Sequence, residues 1–173
     1  ALGDYTTDVN GKLVVTGLRP GNYYFVEKTA PEGYLLDTTP IPFTIEKDQK
    51  EVVSITRTND IIKGSVELTK TDSETDTPIQ NAIFNLYNEK GEVVKGNVMT
   101  NDKGVITVKD LSPGKYYFKE IQAATGYILD ANPVHFEIEV GKDTKITVTK
   151  ENDIIKGSAR LIKEDAETRE LLQ

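Results

Sequence analysis

The 173-residue sequence has no cysteine, no tryptophan, one methionine and one histidine. Without cysteine there are no disulfides and no thiolate metal sites, so if the fold is extracellular it needs another staple. A single histidine, His135, has no second imidazole beside it for a metal site or a triad. It lies out of phase with Val134 and Phe136 on its strand and reads as a surface residue. No P-loop, G-x-S-x-G or Rossmann glycine pattern occurs. No apolar run is long enough to span a bilayer as a helix. The net charge of −7 is the wrong sign for nucleic acid or for an anionic membrane surface, so neither partner is expected. The acidic stretch "DSETD" at 72–76 lacks the glycine and later glutamate of an EF-hand loop and reads as a solvated turn. No metal and no cofactor are expected.

What the sequence does contain is a repeat. "LRPGNYYF" at 18–25 returns 93 residues later as "LSPGKYYF" at 111–118, and "NDIIKGS" at 59–65 returns at 152–158. "GSVELTKTDSETDTPIQ" at 64–80 is matched by "GSARLIKEDAETRELLQ" at 157–173. A period of this length describes whole domains in tandem, not a solenoid. Residues 63–155 form one complete repeat. Residues 1–62 form a repeat without its N-terminal strands, and 156–173 form the first-strand segment of a third. The pattern begins and ends in mid-repeat, as in a segment of a longer chain.

Strands are predicted near 65–71, 82–87, 94–99, 105–109, 115–121, 134–140 and 144–151. These stretches are rich in Val, Ile, Thr, Tyr and Phe, alternate at period two, and are bounded by turns such as "NDKG" and "SPGK". Seven short strands in about 90 residues predict an all-β fold, an antiparallel β-sandwich. The short apolar linker "DIIKG" predicts semi-rigid docking of neighbouring repeats.

Strand alternation then places three polar residues in the rows of core side chains. Lys70 follows Val66 and Leu68, Glu120 follows Tyr116 and Phe118, and Asn152 shares the phase of Ile146 and Val148. The other copies repeat the pattern with Tyr23, Phe25 and Glu27, with Val53, Ile55 and Asn59, and with Ala159, Leu161 and Lys163. A lone buried charge is very costly. An unreacted Lys–Glu pair accounts for two of the three and leaves the asparagine unexplained. The chemical alternative accounts for all three. Burial favours the neutral forms of lysine and of a carboxylic acid. A neutral amine is a nucleophile, and a protonated carboxyl can polarise the Asn carbonyl and carry protons to departing ammonia. The product is a Lys–Asn isopeptide bond, its slow formation helped by proximity in a dry core.

"VELTKTD", "YYFKE" followed by "GY", and "ITVTKEN" resemble the CnaB-type domains of Gram-positive surface adhesins and pilins. In that family a first-strand lysine bonds to an Asn or Asp on the last strand, helped by the glutamate of an E-x-x-A-P-x-G-Y motif. The first copy carries the motif in full, as Glu27, Ala30, Pro31, Gly33 and Tyr34. The second has Ala124 where the motif has proline. The resemblance implies a transthyretin-like (prealbumin-like, reverse-Ig type) sandwich. It implies a Lys70–Asn152 crosslink promoted by Glu120, and Glu27 as the corresponding glutamate of the first copy.

Two further expectations follow. The head has Glu27 and Asn59 but no first-strand lysine, and the tail has Lys163 but no partner. Head-to-tail self-association through 156–173, sealed by Lys163–Asn59, would join them. A truncated head with a frayed tail is the plainer outcome. The whole reads as stalk or backbone domains of a cell wall-anchored extracellular protein of a Gram-positive bacterium, with single-turnover chemistry and no enzyme activity. The parent would contact any host extracellular matrix ligand. The rival readings are an adhesive module for a host matrix protein or glycan, favoured by an exposed aromatic row, and an accessory domain of a secreted enzyme.

Overall fold

The computed structural model describes all of residues 1–173 and contains nine strands and no helix. The chain divides into two compact units, Ala1–Ile61 and Ile62–Gln173.

The first unit holds β1 (Gly21–Phe25) and β2 (Ile41–Ile45), paired antiparallel. Their alternation puts Tyr23, Phe25 and Phe43 on one face, where Phe43 stacks on both of the others. That face stays half-buried because no second sheet covers it.

The second unit is a two-sheet sandwich. Its strands are β3 (Gly64–Asp72), β4 (Ile83–Asn88), β5 (Val93–Met99), β6 (Val105–Leu111), β7 (Gly114–Gln122), β8 (Val134–Ile138) and β9 (Lys145–Asn152). These are the seven strands expected for the complete repeat, with ends shifted by one or two residues. One sheet has the order β5-β4-β7-β8 and the other β6-β3-β9. Every pairing is antiparallel except β3 with β9, which runs parallel from Ser65↔Lys145 to Asp72↔Asn152. Parallel neighbours need a long crossover. Here the crossover is the rest of the domain, so its first and last strands lie side by side with their C-terminal ends together.

The core between the sheets is built from Val66, Leu68, Phe84, Leu86, Ile106, Val108, Phe118, Phe136 and Ile138, with Ile146 and Val148 packed against it. Strict alternation carries β3 from buried Val66 and Leu68 to buried Lys70 and Asp72.

The segments related by the repeat fare differently. Residues 12–18 and 52–59 match β6 and β9, the two strands that flank β3, and neither forms a strand in the first unit. Residues 157–165, which match β3, form none either, and Leu161 is 91% exposed. A strand exists only with a partner for its backbone groups, and none of these segments belongs to a sheet. The tail nonetheless keeps the turn that ends β3. Asp165 accepts the N–H groups of Glu167 and Thr168, as Asp72 accepts those of Glu74 and Thr75.

Candidate functional site

The site lies at the C-terminal ends of β3 and β9, against the facing strand β7. Lys70, Glu120 and Asn152 are 0%, 1% and 2% exposed. Strand phase predicts these three as buried; the structure joins Glu120 to Asn152 and sets Lys70 on the strand beside Asn152, within range of the Glu120 charge.

Lys70 is fixed by its backbone. Its N–H donates to the Gly104 carbonyl at 2.7 Å and its carbonyl accepts the Ile79 N–H at 2.9 Å. Its side chain runs into the core, where Nζ donates to the Lys150 carbonyl at 3.3 Å. Loss of solvent pulls its pKa from 10.5 down to about 8. The Glu120 charge opposes that shift and the Lys150 charge adds to it.

Glu120 stands opposite Phe84 in the β4–β7 register, with Phe118 two residues before it on the same face. Its two carboxylate oxygens accept the Asn152 Nδ2 at 2.9 and 3.0 Å. Asn152 Oδ1 is buried and has no hydrogen-bond partner. This corrects the expected chemistry, in which the carboxyl polarises the Asn carbonyl: the carboxylate sits on the amide nitrogen, the atom that would leave, and not on the carbonyl oxygen.

Three further residues belong to the site. Lys150, 8% exposed, is the register partner of Lys70 and points inward with Asn152. Its Nζ forms an ion pair with Asp130 and donates to the Asn132 carbonyl at 2.9 Å. That pairing, helped by the Asn132 N–H, holds the Asp130 carboxyl below the usual carboxylate range. Asp130 in turn donates its backbone N–H to Glu120 Oε2 at 3.0 Å. Gly104, at φ +71°, leaves no room for a side chain: a Cβ there would lie 2.5 Å from the Lys70 carbonyl oxygen. Lys150 could have been found by extending the period-two row from Ile146. Asp130 left one faint trace, "YILD" against "YLLD" in the first copy.

The first unit holds the same arrangement without a lysine. Asn59 Nδ2 donates to both oxygens of Glu27 at 2.8 Å, the Asp37 N–H donates to Glu27 Oε2 at 3.0 Å, and Arg57 pairs with Asp37. Lys163 is exposed in the tail.

The other signals resolve simply. Asp72 is a buried turn cap. Its carboxyl is held low by the Glu74 N–H and then the Thr75 N–H, against the opposing pull of burial. No cluster of three or more His, Asp or Glu side chains that could hold a metal is present. His135 is exposed and lies against the Tyr117 ring, which stacks on Tyr87. No helix is long and apolar enough to cross a membrane.

A mixed two-sheet sandwich whose first and last strands run parallel, as in the second unit, defines a prealbumin-like domain class. The model of the SpaA prealbumin-like fold domain matches residues 1–59 and again 64–153, and the chain belongs to that family. Over 74 residues, 40% of this chain and 6% of the relative, it is 36% identical to the collagen adhesin of Staphylococcus aureus. The solved structure of the Bacillus anthracis TIE protein superposes with a TM-score of 0.68 at 32% identity, covering 87% of this chain and 28% of that one. GBS52, the minor pilin of Streptococcus agalactiae, shares the fold at a TM-score of 0.51 and 24% identity, covering 92% of this chain and 71% of that one. The chain thus spans a small part of the adhesin and under a third of the TIE protein.

Proposed function

We propose that this chain is a load-bearing stalk or backbone segment of a Gram-positive surface adhesin or pilin, stapled by a Lys70–Asn152 isopeptide bond. One observation carries the reading: a buried carboxylate gripping the amide nitrogen of a buried asparagine, with a buried lysine on the adjacent strand within range of that carboxylate's charge. In the reaction Lys70 passes a proton to Glu120 and its neutral Nζ attacks Asn152 Cγ. Glu120 returns that proton to Nδ2 and takes the second proton from Nζ. The Cγ–Nδ2 bond breaks and ammonia leaves. The Nζ–Cγ amide remains and Glu120 ends protonated. The turnover is single and intramolecular, so the chain is not an enzyme. The parent protein would be extracellular and anchored to the cell wall through regions outside these residues. Contact with any host matrix ligand would lie in the parent.

The parallel pairing gives the bond its mechanical sense. Tension entering β3 at Gly64 would cross from Lys70 to Asn152 and leave, bypassing everything between them. The test is the intact mass of the denatured protein beside Glu120→Ala. A deficit of ~17 Da, one ammonia, that disappears in the variant supports the crosslink. A mass equal to the bare sequence overturns it.

The same reading extends to association. The first unit lacks a central strand between 12–18 and 52–59, and a second copy of this chain carries a segment with the alternation of β3 at 157–165. Docked in the β3 register, it would bring Lys163 to Glu27 and Asn59 and make covalent head-to-tail chains.

A further inference from the structure

Two buried lysines, Lys70 and Lys150, lie in register on adjacent strands and face the same core. Only Lys150 has a carboxylate in contact. We infer that Asp130 and Lys150 form a clamp that positions Glu120 and decides which lysine reacts, an inference that rests on the crosslink reading above.

The geometry runs through two links. Lys150 Nζ is tied to Asp130 Oδ2 and to the Asn132 carbonyl, while Asp130 Oδ1 accepts the Asn132 N–H at 2.9 Å. This closes the loop around Asp130 and aims its backbone N–H at Glu120 Oε2, the oxygen that also receives Asn152 Nδ2. The carboxylate is therefore held from the clamp side and the amide side together. Lys150, held by Asp130 and the Asn132 carbonyl, is withdrawn from nucleophilic chemistry. Lys70 keeps only a long bond to a carbonyl and is free to attack.

The first unit supplies an independent instance. Asp37 donates its N–H to Glu27 Oε2 and accepts the Thr39 N–H at 2.9 Å, and its ion partner is Arg57. Arginine is permanently charged and cannot serve as an amine nucleophile. What this position requires is therefore a fixed cation.

The groups acting on Lys70 are Glu120 from β7, Asp130 from the loop after it, and Lys150 and Glu151 from β9. Lys150 is the one cation among them, and its charge favours the neutral form of Lys70. Removing it leaves the anions unopposed, and removing the Asp130 charge does the reverse.

The experiment uses the full chain, refolded from urea-solubilised inclusion bodies, with loss of ~17 Da followed by denaturing intact mass between pH 6 and 9. Lys150→Met should slow the reaction about tenfold at pH 7 and move its pH profile upward by about one pH unit. Lys150→Arg should stay near wild type. Asp130→Asn, which keeps the backbone N–H, should move the profile downward. A merely structural role would slow both charge-removing variants without opposite displacements. Profiles for Lys150→Met and Asp130→Asn that superimpose on wild type, or move together, overturn the clamp while leaving the crosslink standing. So does a Lys150→Arg as slow as Lys150→Met. If Lys150→Met fails to fold, Asp130→Asn and Lys150→Arg decide. A wild-type chain that never loses ammonia overturns the crosslink, and the clamp with it.

Discussion

The backbone N–H of Lys70 donates to the carbonyl oxygen of Gly104 at 2.7 Å, and the Gly104 Cα approaches the Lys70 carbonyl too closely for any side chain. The turn "NDKG" therefore fixes where the nucleophile leaves its strand. Alanine at 104 must resolve both a left-handed φ and a Cβ contact of 2.5 Å with backbone. Gly104→Ala should cost on the order of 1–3 kcal/mol of stability and slow crosslinking. The refolding mass assay reads the second effect and urea melts of the unreacted chain the first. Crosslinking at the wild-type rate would show that this approach does not position Lys70.

The lowered pKa of Lys70 makes the unreacted fold sensitive to pH. In Asn152→Ala no bond can form, and the groups acting on Lys70 are retained. The folded protein then releases the Lys70 proton near pH 8, while the unfolded chain holds it to 10.5. Below pH 8 both states are protonated and the full burial penalty applies. Between the two values the unfolded state binds more protons, so stability rises with pH. The gain is roughly 3 kcal/mol. Urea melts of Asn152→Ala against Asn152→Ala/Lys70→Met between pH 7 and 10 isolate the term. Parallel curves would show that Lys70 is not desolvated.

Much of this site was legible because strands alternate faces. Lys70, Glu120 and Asn152 each extend an apolar row, and position alone marks them as buried. Lys150 obeys the same rule, but a lysine at a strand end ordinarily carries its ammonium to solvent, so phase gives no hint of its Asp130 partner. Asp130 sits in a loop, where no periodicity applies. The closeness of Gly104 to Lys70 joins residues far apart in sequence and leaves no local mark. Nor does a strand's composition reveal the direction of its neighbour, which is why the parallel β3–β9 pair was not foreseen. In the first unit, phase correctly aligned Tyr23, Phe25 and Glu27. It did not show that the row stays half-buried when no second sheet lies over it.

That half-buried row predicts unequal resistance to proteolysis. Leu13, Val15 and Leu18 correspond by the repeat to Ile106, Val108 and Leu111, yet they are only half-buried while the latter are 3–5% exposed. A unit without its central strand should open locally at low free energy. Limited trypsin digestion should cut within 1–61 and after Lys156 first, leaving a resistant fragment that contains 64–152. A first unit as resistant as the second would indicate that its missing strand has been supplied, and such samples should contain multiples of the monomer mass. In that case Lys163→Ala should abolish the multiples that survive denaturant and leave the monomer's own ~17 Da deficit unchanged.

The crosslink itself should be the main staple of the second unit. Joining Lys70 to Asn152 closes a loop of roughly 80 residues, for which the chain-entropy estimate is about 4–5 kcal/mol. Glu120→Ala is a poor gauge of that term, because it also empties a buried site beside Phe84. Lys70→Met is better: it keeps the stem's volume, removes the amine and leaves the Glu120–Asn152 hydrogen bonds in place. Lys70→Met should keep the strand content of the wild type by circular dichroism and lose the ammonia deficit. It should unfold about 20 °C or more below the wild type, given the few degrees per kcal/mol typical of domains this size. A Lys70→Met protein that melts with the wild type would show that the bond does not hold the fold together. Its contribution would then be sought under load, where β3 and β9 are pulled past each other.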